Sequence, residues 1–277
     1  MKLRIGRNYW KLLACVAILF SSVAVTSCSD DDDDKGGGNT ITTSGDDSQQ
    51  IKGKLRIMEE NDDYEYTWGS YVSDEVDELE VYAEDSYYSN YSEKIPVSNG
   101  EFTYTLPASI EPEYLWNAAE TFERKGMTVS NKEANMGSIW FRPLKNDSRS
   151  GYISLKSSNF NIEVELVYAD SDVKISGTHR DEETYTFNDI TYTEVEIYQY
   201  DVNLKKGWNT VVTTFTEAIN GTTYTQTEKI TANNEPANLT WGVRLYSNYS
   251  YSAIDESSNE SVKSAKAAKA KKFFNKK

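Results

Sequence analysis

The stretch NIEVELVY, residues 161–168, alternates polar and apolar side chains with a period of two. The segments DELEVY at 77–82 and TYTEVEIY at 191–198 do the same. Such alternation buries one face of a strand and leaves the other in water, which is typical of antiparallel sheets. Because segments of this kind recur over residues 51–256, the chain is predicted to be all-β.

Short turn signals separate these segments. They lie at residues 98–100, 145–147, 205–207 and 220–221. Their Asn, Asp and Gly residues tolerate the positive φ angles of tight hairpin turns. Many short strands joined in this way predict an antiparallel β-sandwich, built either as one two-lobed unit or as two related modules.

Residues 112–125 break the strand pattern. The segment begins with Pro112, carries acidic residues early and basic residues late, and is followed by Gly126. These are start and stop signals of a helix, and the apolar residues between them share one helical face. The sequence therefore predicts one short helix near 112–125, packed over the end of the sheets.

The N-terminus predicts export and lipidation. Residues 1–27 combine basic residues, a short apolar run and small residues, as secretory signals do. The apolar run is shorter than the ~20 residues that a membrane span requires. Val-Thr-Ser directly before Cys28 resembles a bacterial lipobox, in which the thiol is acylated and becomes the first residue of the mature chain. An ordinary signal peptide followed by a chance cysteine is the alternative.

An acidic run follows this cysteine. It consists of Ser29, Asp30, Asp31, Asp32, Asp33 and Asp34. The run resembles the export signal of Bacteroidota surface lipoproteins, while a solvated linker and an engineered protease site are the alternatives. Residues 28–50 as a whole are polar and Gly-rich, so we expect a flexible tether. The predicted location is the outer membrane, with a lipid anchor and the protein facing the cell exterior.

The rest of the chain divides into four predicted ranges. They are an N-terminal β module, a helical connector, a C-terminal β-sandwich module and a Lys/Ala-rich tail, at residues 51–111, 112–126, 127–256 and 257–277.

The formal net charge of −15 conceals an asymmetry. Removal of residues 1–27 takes away four basic residues and no acidic one, so the mature chain carries −19. Seven lysines and no acidic residue lie at 263–277, which leaves −26 on residues 28–262. A body this acidic excludes a nucleic-acid partner, which requires clustered Lys and Arg. The tail is expected to stay disordered, to lie against the acidic body or to touch anionic lipid.

The titratable residues do not form a catalytic set. Histidine occurs once, as His179, in a stretch whose polar residues predict a turn. Nucleophilic catalysis needs a nucleophile with a base, and zinc sites need several Cys or His ligands. Carboxylate pairs are unavoidable among 44 acidic residues, so a carboxylate-based glycoside hydrolase stays an alternative. We therefore predict no enzymatic activity and no cofactor. We also predict no metal, because the acidic loops at 61–63, 170–172 and 181–183 lack EF-hand spacing.

Aromatic residues supply the predicted binding site. Tyrosine occurs 20 times, and two runs combine it with Ser and Asn. Flat rings with one polar edge can stack on sugars or anchor protein partners. The predicted platform consists of Tyr87, Tyr88, Tyr91, Tyr249 and Tyr251. The expected partners are the membrane, through the N-terminal lipid, and a glycan or another surface protein.

Four further segments carry a family resemblance. They are IPVSNGEFTYTLP at 95–107, MTVSNK at 127–132, VYADSDVKISGT at 167–178 and NLKKGWN at 203–209. Their order and spacing resemble a group of small surface-exposed outer-membrane lipoproteins of the Bacteroidota, an uncharacterised β-sandwich family. The resemblance implies the fold and the location and brings no catalytic residue. The predicted function is a non-enzymatic binding or cell-surface assembly module, with a glycan-binding accessory lipoprotein as the alternative.

Overall fold

A computed structural model describes residues 40–42, 49–60, 66–83, 92–187, 189–236 and 238–246. Cys28, the acidic run after it, the five tyrosines of the predicted platform and the Lys/Ala-rich tail lie outside these residues. Strands make up 69% of the structure, and its single short helix has 8 residues. The all-β prediction with one short helix is therefore confirmed within the described ranges.

The strands of the first half surround the helical segment. They are β1 (Thr40–Thr42), β2 (Gln50–Glu60), β3 (Tyr66–Tyr71), β4 (Glu78–Ala83), β5 (Ser92–Pro96), β6 (Glu101–Thr105), β7 (Trp116–Asn117), β8 (Thr128–Val129) and β9 (Asn135–Lys145). The strands of the second half are longer. They are β10 (Ser148–Arg149), β11 (Gly151–Ser157), β12 (Ile162–Ala169), β13 (Val173–Phe187), β14 (Ile190–Leu204), β15 (Gly207–Asn220), β16 (Thr223–Ala232) and β17 (Leu239–Leu245).

The sheet divides into two branches at β12. One edge of β12 pairs with β15 along its whole length. Its other edge pairs first with β11 and then, from Leu166 onward, with β9. The β11 branch continues through β17 and β2 to β3, and the β9 branch continues through β4 to β5. Side chains from both branches meet in one core, which gives the sandwich-like arrangement.

Two pairings are parallel, β14 with β16 and β17 with β2, so the sheet is mixed rather than purely antiparallel. The alternation of a strand predicts which of its faces is buried. This alternation does not predict the direction of the neighbouring strand, so the two parallel pairings could not be predicted from the sequence.

Two hydrophobic cores lie on opposite sides of β12. Val164, Leu166 and Tyr168 belong to the first core, whereas Val167 and Ala169 belong to the second. The first core contains side chains of β2, β4 and β6 together with those of β11, β12 and β17, so the predicted N- and C-terminal modules share it. The boundaries between the modules stay a prediction.

The four predicted turns are confirmed by positive φ angles. They occur at Asn99 and Gly100 (52° and 74°), Asn146 and Asp147 (50° and 60°), Gly207 (99°) and Gly221 (61°). Gly100 cannot be replaced without movement, because a Cβ there would lie 2.4 Å from the carbonyl oxygen of Val72.

The helix is shorter than the range 112–125 that the sequence predicts. Pro112–Tyr114 forms a separate 3₁₀ turn, and the helix α1 (Ala118–Phe122) begins only after it and continues as one further 3₁₀ turn. The side chain of Asn117 accepts a hydrogen bond from the Glu120 N–H and sets this N-terminus. Gly126, in the left-handed conformation, ends the segment as predicted.

Candidate functional site

The outer face of the sheet carries the candidate site. Strands β3, β2, β17, β11, β12, β15, β16, β14 and β13 are hydrogen-bonded neighbours in this order. Their side chains that alternate with those of the first core therefore share one continuous face. The second core and α1 cover part of this face on β12, β13, β14, β15 and β16, and the two ends of the face differ in their charged side chains.

The end formed by β3, β2, β17 and β11 combines cations with aromatic rings. We call it the Arg/Tyr face. Its residues are Lys54, Arg56, Tyr66, Trp68, Tyr71, Tyr152, Arg244 and Tyr246. It arises because β2 alternates basic side chains outward with Leu55 inward, and because the parallel pairing of β2 with β17 brings Arg244 beside them.

Each cation of the Arg/Tyr face lies over an aromatic ring. The Arg56 guanidinium carbon is 5.8 Å from the ring centre of Trp68 and 5.6 Å from that of Tyr71. Lys54 Nζ is 5.2 Å from the Tyr71 ring, and Arg244 is 5.7 Å from the Tyr66 ring. Such contacts hold the cation and the ring in fixed relative positions.

Backbone hydrogen bonds fix the same side chains. Arg56 Nε donates to the carbonyl of Gly69 at 2.7 Å, and Trp68 Nε1 donates to the carbonyl of Ser158 at 3.0 Å. The Trp68 ring also stacks on Phe160, with 4.5 Å between ring centres. Rings held in this way lose little conformational freedom when a ligand binds.

The tyrosines of this face are open to solvent. Tyr152 is 57% exposed and Tyr71 is 45% exposed, and the side chains of Tyr66 and Tyr246 are exposed as well. Tyr152 and Tyr246 form an edge-to-face pair with ring centres 5.2 Å apart. Partial burial and a hydrogen bond with Tyr152 raise the pKa of Tyr246 to about 12, so its phenol stays neutral and can donate a hydrogen bond.

The end formed by β13, β14, β16 and β15 is acidic, and we call it the Glu/Tyr face. Its residues are Asp181, Glu183, Tyr185, Tyr192, Glu194, Glu196, Tyr198, Glu217, Tyr224, Gln226 and Glu228. The register of the three strand pairs places these side chains on one face. Lys156, which bonds Glu163 at 2.5 Å, lies between this face and the Arg/Tyr face.

Tyrosines of the Glu/Tyr face donate to its carboxylates. The hydroxyl of Tyr198 donates to Glu196 at 2.7 Å, and that of Tyr224 donates to Glu217 at 2.6 Å. Burial raises the pKa of Tyr198 and Tyr224, and the accepting carboxylates raise it further. These hydrogen bonds orient the carboxylates and leave their negative charge in place.

Glu228 is the buried member of the Glu/Tyr face. It is 3% exposed and lies between Tyr198 on one neighbouring strand and Phe215 on the other. Gln226 Nε2 donates to Glu228 Oε1, whereas the buried Oε2 has no hydrogen-bond partner. Burial raises the pKa of Glu228 to about 7, and the charges of Glu196 and Glu163 act in the same direction.

The prediction that His179 lies in a polar turn is wrong. It lies within β13, opposite Tyr198 of β14, and its Nε2 is 3.0 Å from Asp181 Oδ1. Ring contact with Tyr198 covers one side of the imidazole. The hydroxyl-rich run around it carries no apolar alternation, so the register with β14, and not the local sequence, makes it a strand.

The pair of Glu228 and Glu196 is the arrangement closest to an acid–base pair on this face. A raised carboxyl pKa beside a second carboxylate is typical of glycosidic sites. Glu228 is too deeply buried for its carboxyl to reach a polymeric substrate, and Tyr198 covers the Glu196 side.

The aspartates of the acidic loop at 170–172 bond to other residues of the chain. Asp170 accepts from the Asn135 backbone and side chain, both at 2.9 Å, and Asp172 pairs with Lys205 at 2.7 Å. These bonds lower the pKa of both aspartates. In the described ranges, no three His, Cys, Asp or Glu side chains are grouped as metal ligands. Residues 61–63 lie outside those ranges.

The Arg/Tyr face was not predicted from the sequence. Its members come from positions as distant as Lys54 and Tyr246, and only strand pairing brings them together. One local signal was available, the alternation of basic and apolar residues at 52–57, which gives one charged strand face. The acidic alternation of 191–198 was noticed as a strand pattern, but not as half of an acidic face.

No helix within the described ranges has the length and apolar character of a membrane span. The chain matches no known protein family, no curated protein and no solved structure.

Proposed function

We propose that the protein is a non-catalytic binding module, anchored by lipid at Cys28 and displayed on the outer face of the outer membrane. The Arg/Tyr face is its binding surface, and a polysaccharide is its ligand. The observation that carries this proposal is that, among the described residues, four of the five exposed large hydrophobic side chains lie on this one face: Tyr66, Tyr71, Tyr152 and Tyr246.

The chemistry of the Arg/Tyr face suits a sugar polymer. Exposed phenol rings offer flat apolar surfaces for the C–H faces of sugar rings, while their hydroxyls bond sugar hydroxyls. Arg56 adds donors that can bind hydroxyl or carboxylate oxygens of the polymer, whereas Arg244 pairs with Glu60 and donates to the Tyr66 hydroxyl at 3.1 Å. An extended sheet face matches an extended chain.

Affinity electrophoresis through gels that contain a panel of polysaccharides tests the ligand. We expect at least one polysaccharide to retard the protein, and Tyr71→Ala with Tyr152→Ala to reduce that retardation at least ten-fold, because two exposed rings are lost. Ile190→Ala is the matched control, since Ile190 is an exposed large hydrophobic residue of β14 and lies off this face. Unchanged retardation of the double variant, or no retardation by any polysaccharide, contradicts the proposal.

The anchor is tested separately by Cys28→Ala. The variant should leave the membrane fraction and appear in the soluble fraction, because no thiol remains at the acylation position. Retention of the variant in membranes contradicts lipidation and leaves the binding test unaffected.

A further inference from the structure

Arg56 carries the one positive charge of the Arg/Tyr face that meets no carboxylate in the described part of the chain. Lys54 pairs with Glu101 at 3.2 Å, and Arg244 pairs with Glu60. Around the guanidinium of Arg56, no carboxylate of the described residues lies within the 4.0 Å of an ion pair. The three cations of this face are therefore not equivalent.

The missing partner of Arg56 is not explained by a shortage of acidic residues. The chain has 44 acidic and 29 basic residues, and residues 28–262 carry −26. Arg56 is also half-buried, so part of its charge has lost contact with water. A charge that is partly withdrawn from water and has no counter-ion is costly. Such a cation fits a site whose anion arrives with a ligand.

The guanidinium of Arg56 is held with one edge unused. Its Nε donates to the Gly69 carbonyl at 2.7 Å, and the ring centres of Trp68 and Tyr71 lie 5.8 and 5.6 Å from its central carbon. Its two Nη nitrogens donate no hydrogen bond to the described residues. Two parallel N–H groups on one planar edge match the two oxygens of a carboxylate.

We propose that the polysaccharide bound by the Arg/Tyr face is acidic, and that Arg56 binds the carboxylate of one of its uronic acid units. The inference rests on the proposed function, because it names the substrate class of the same surface.

Exposed rings near Arg56 can bind the sugar unit that carries the carboxylate. Tyr71 lies directly opposite Arg56 on β3 and is 45% exposed. A uronic acid has its carboxyl group directly on the sugar ring, so the C–H face of the ring can lie on Tyr71 while the carboxylate meets Arg56. Tyr152 lies two strands from Arg56, ~10 Å across the sheet, so the same polymer can contact a second exposed ring.

The other flank of Arg56 is fixed by a strained residue. Phe160 stacks on Trp68 and has a φ of 59°, a left-handed conformation that bulky residues rarely adopt. Strain of this kind persists only where the surrounding contacts enforce it, and it is frequent at ligand sites. Trp68 is thus held beside Arg56 before a ligand binds, which lowers the entropy lost on binding.

A neutral polysaccharide lacks the group that this site requires. It can stack on the rings, but it leaves the guanidinium without a counter-ion. A site built to pair a polar group discriminates against an analogue that lacks the partner group. We therefore expect Arg56 to determine selectivity for charged over neutral polymers, while the tyrosines contribute to both.

Surface plasmon resonance on immobilised polymers tests the proposal with the mature chain, residues 28–277, carrying Cys28→Ser to keep it soluble. The probes are polygalacturonate, alginate and hyaluronate, each before and after complete methyl esterification, which keeps the sugar backbone and removes the charge. At least one polyuronate should bind at least five-fold more tightly than its methyl ester, because the ester cannot form the charge-assisted hydrogen bonds. Equal binding of both forms overturns the proposal, and this comparison needs no variant of Arg56.

Variants of Arg56 assign the effect to this side chain. Arg56→Gln should bind the polyuronate at least five-fold more weakly and its methyl ester with unchanged affinity. Arg56→Lys keeps the charge but loses the planar fork, so its affinity should lie between those of Arg56→Gln and the unaltered chain. Equal weakening for the acid and the ester shows that Arg56 only holds the rings, and this overturns the proposal.

Arg124→Gln is the control for net charge. It removes the same charge from an exposed arginine outside the Arg/Tyr face and should bind the polyuronate like the unaltered chain. Equal losses in Arg56→Gln and Arg124→Gln show attraction to the charge of the whole protein and overturn the site.

Neutral and sulfated polymers separate this proposal from the proposed function. Binding to dextran or xylan with no binding to any polyuronate overturns the acidic ligand and leaves the Arg/Tyr face as a polysaccharide site. Binding to dextran sulfate with no binding to any polyuronate overturns the carboxylate assignment. Absence of binding to every polymer overturns both proposals.

Discussion

The two ends of the outer sheet face use the same amino acid in opposite ways. On the Arg/Tyr face, Tyr71 and Tyr152 expose their rings, and cations lie over Tyr71. On the Glu/Tyr face, Tyr198 and Tyr224 are half-buried, and their hydroxyls donate to carboxylates. The comparison shows that exposure and the partner of the hydroxyl together set the role of these tyrosines. The rings of Tyr71 and Tyr152 remain available to a ligand, whereas the hydroxyls of Tyr198 and Tyr224 are already engaged by carboxylates.

The largest expected effect comes from the layer beneath the Arg/Tyr face. Trp241 is 4% exposed and packs edge-to-face on Phe102 and Phe141. Trp241→Ala should lower the free energy of unfolding by about 3–5 kcal/mol, because it removes a large buried ring and leaves a cavity. Urea denaturation measures the loss.

Trp68→Ala is the matched control, since Trp68 lies on the outer side of the same branch and stacks on Phe160. It should cost only about 1–2 kcal/mol, the scale of one aromatic pair together with partial burial. Equal losses for the two tryptophans would show that the outer face is part of the core and not a surface prepared for a ligand.

A smaller effect, and one that depends on pH, is expected from Glu228→Gln. In the folded protein the pKa of Glu228 is raised to about 7 from 4.5. Between these values the folded chain holds a proton that the unfolded chain has released, so stability falls as pH rises through this window. Above pH 7 the free energy of unfolding has fallen by the full amount, about 3 kcal/mol.

Urea denaturation at pH 5 and pH 8 measures this difference. The Gln variant should gain stability relative to the wild type at pH 8 and much less at pH 5. Glu217→Gln, an exposed position on the same face, should keep the wild-type pH dependence. Parallel pH profiles for wild type and Glu228→Gln would contradict the account of Glu228.

The fold was predictable where local chemistry decides it. Alternation at 161–168 and 191–198 marked β12 and β14, and Asn99 with Gly100 marked a hairpin turn. The predicted helix start at Pro112 was wrong. Pro112 begins a separate 3₁₀ turn, and the true N-cap, Asn117, comes only after an extended residue. Local signals thus predicted the elements and missed one boundary.

The candidate site was not predictable, because strand pairing creates it. Arg244 meets Tyr66 across 178 residues, and their contact depends on the parallel pairing of β17 with β2. Only the pairing register shows that Asp181 lies opposite Glu196. The tyrosine platform predicted at Tyr87, Tyr88, Tyr91, Tyr249 and Tyr251 lies outside the described residues and stays a prediction.

Hydroxyl-radical footprinting with the polysaccharide that retards the protein tests the central claim most directly. The account predicts that bound polysaccharide lowers oxidation of Tyr71 and Tyr152 at least three-fold, because ligand covers their exposed rings. Oxidation of Tyr185 and Ile190, which lie at the other end of the sheet, should not change. Protection of Tyr185 and Ile190 without protection of Tyr71 and Tyr152 would contradict the assignment of the Arg/Tyr face as the binding surface.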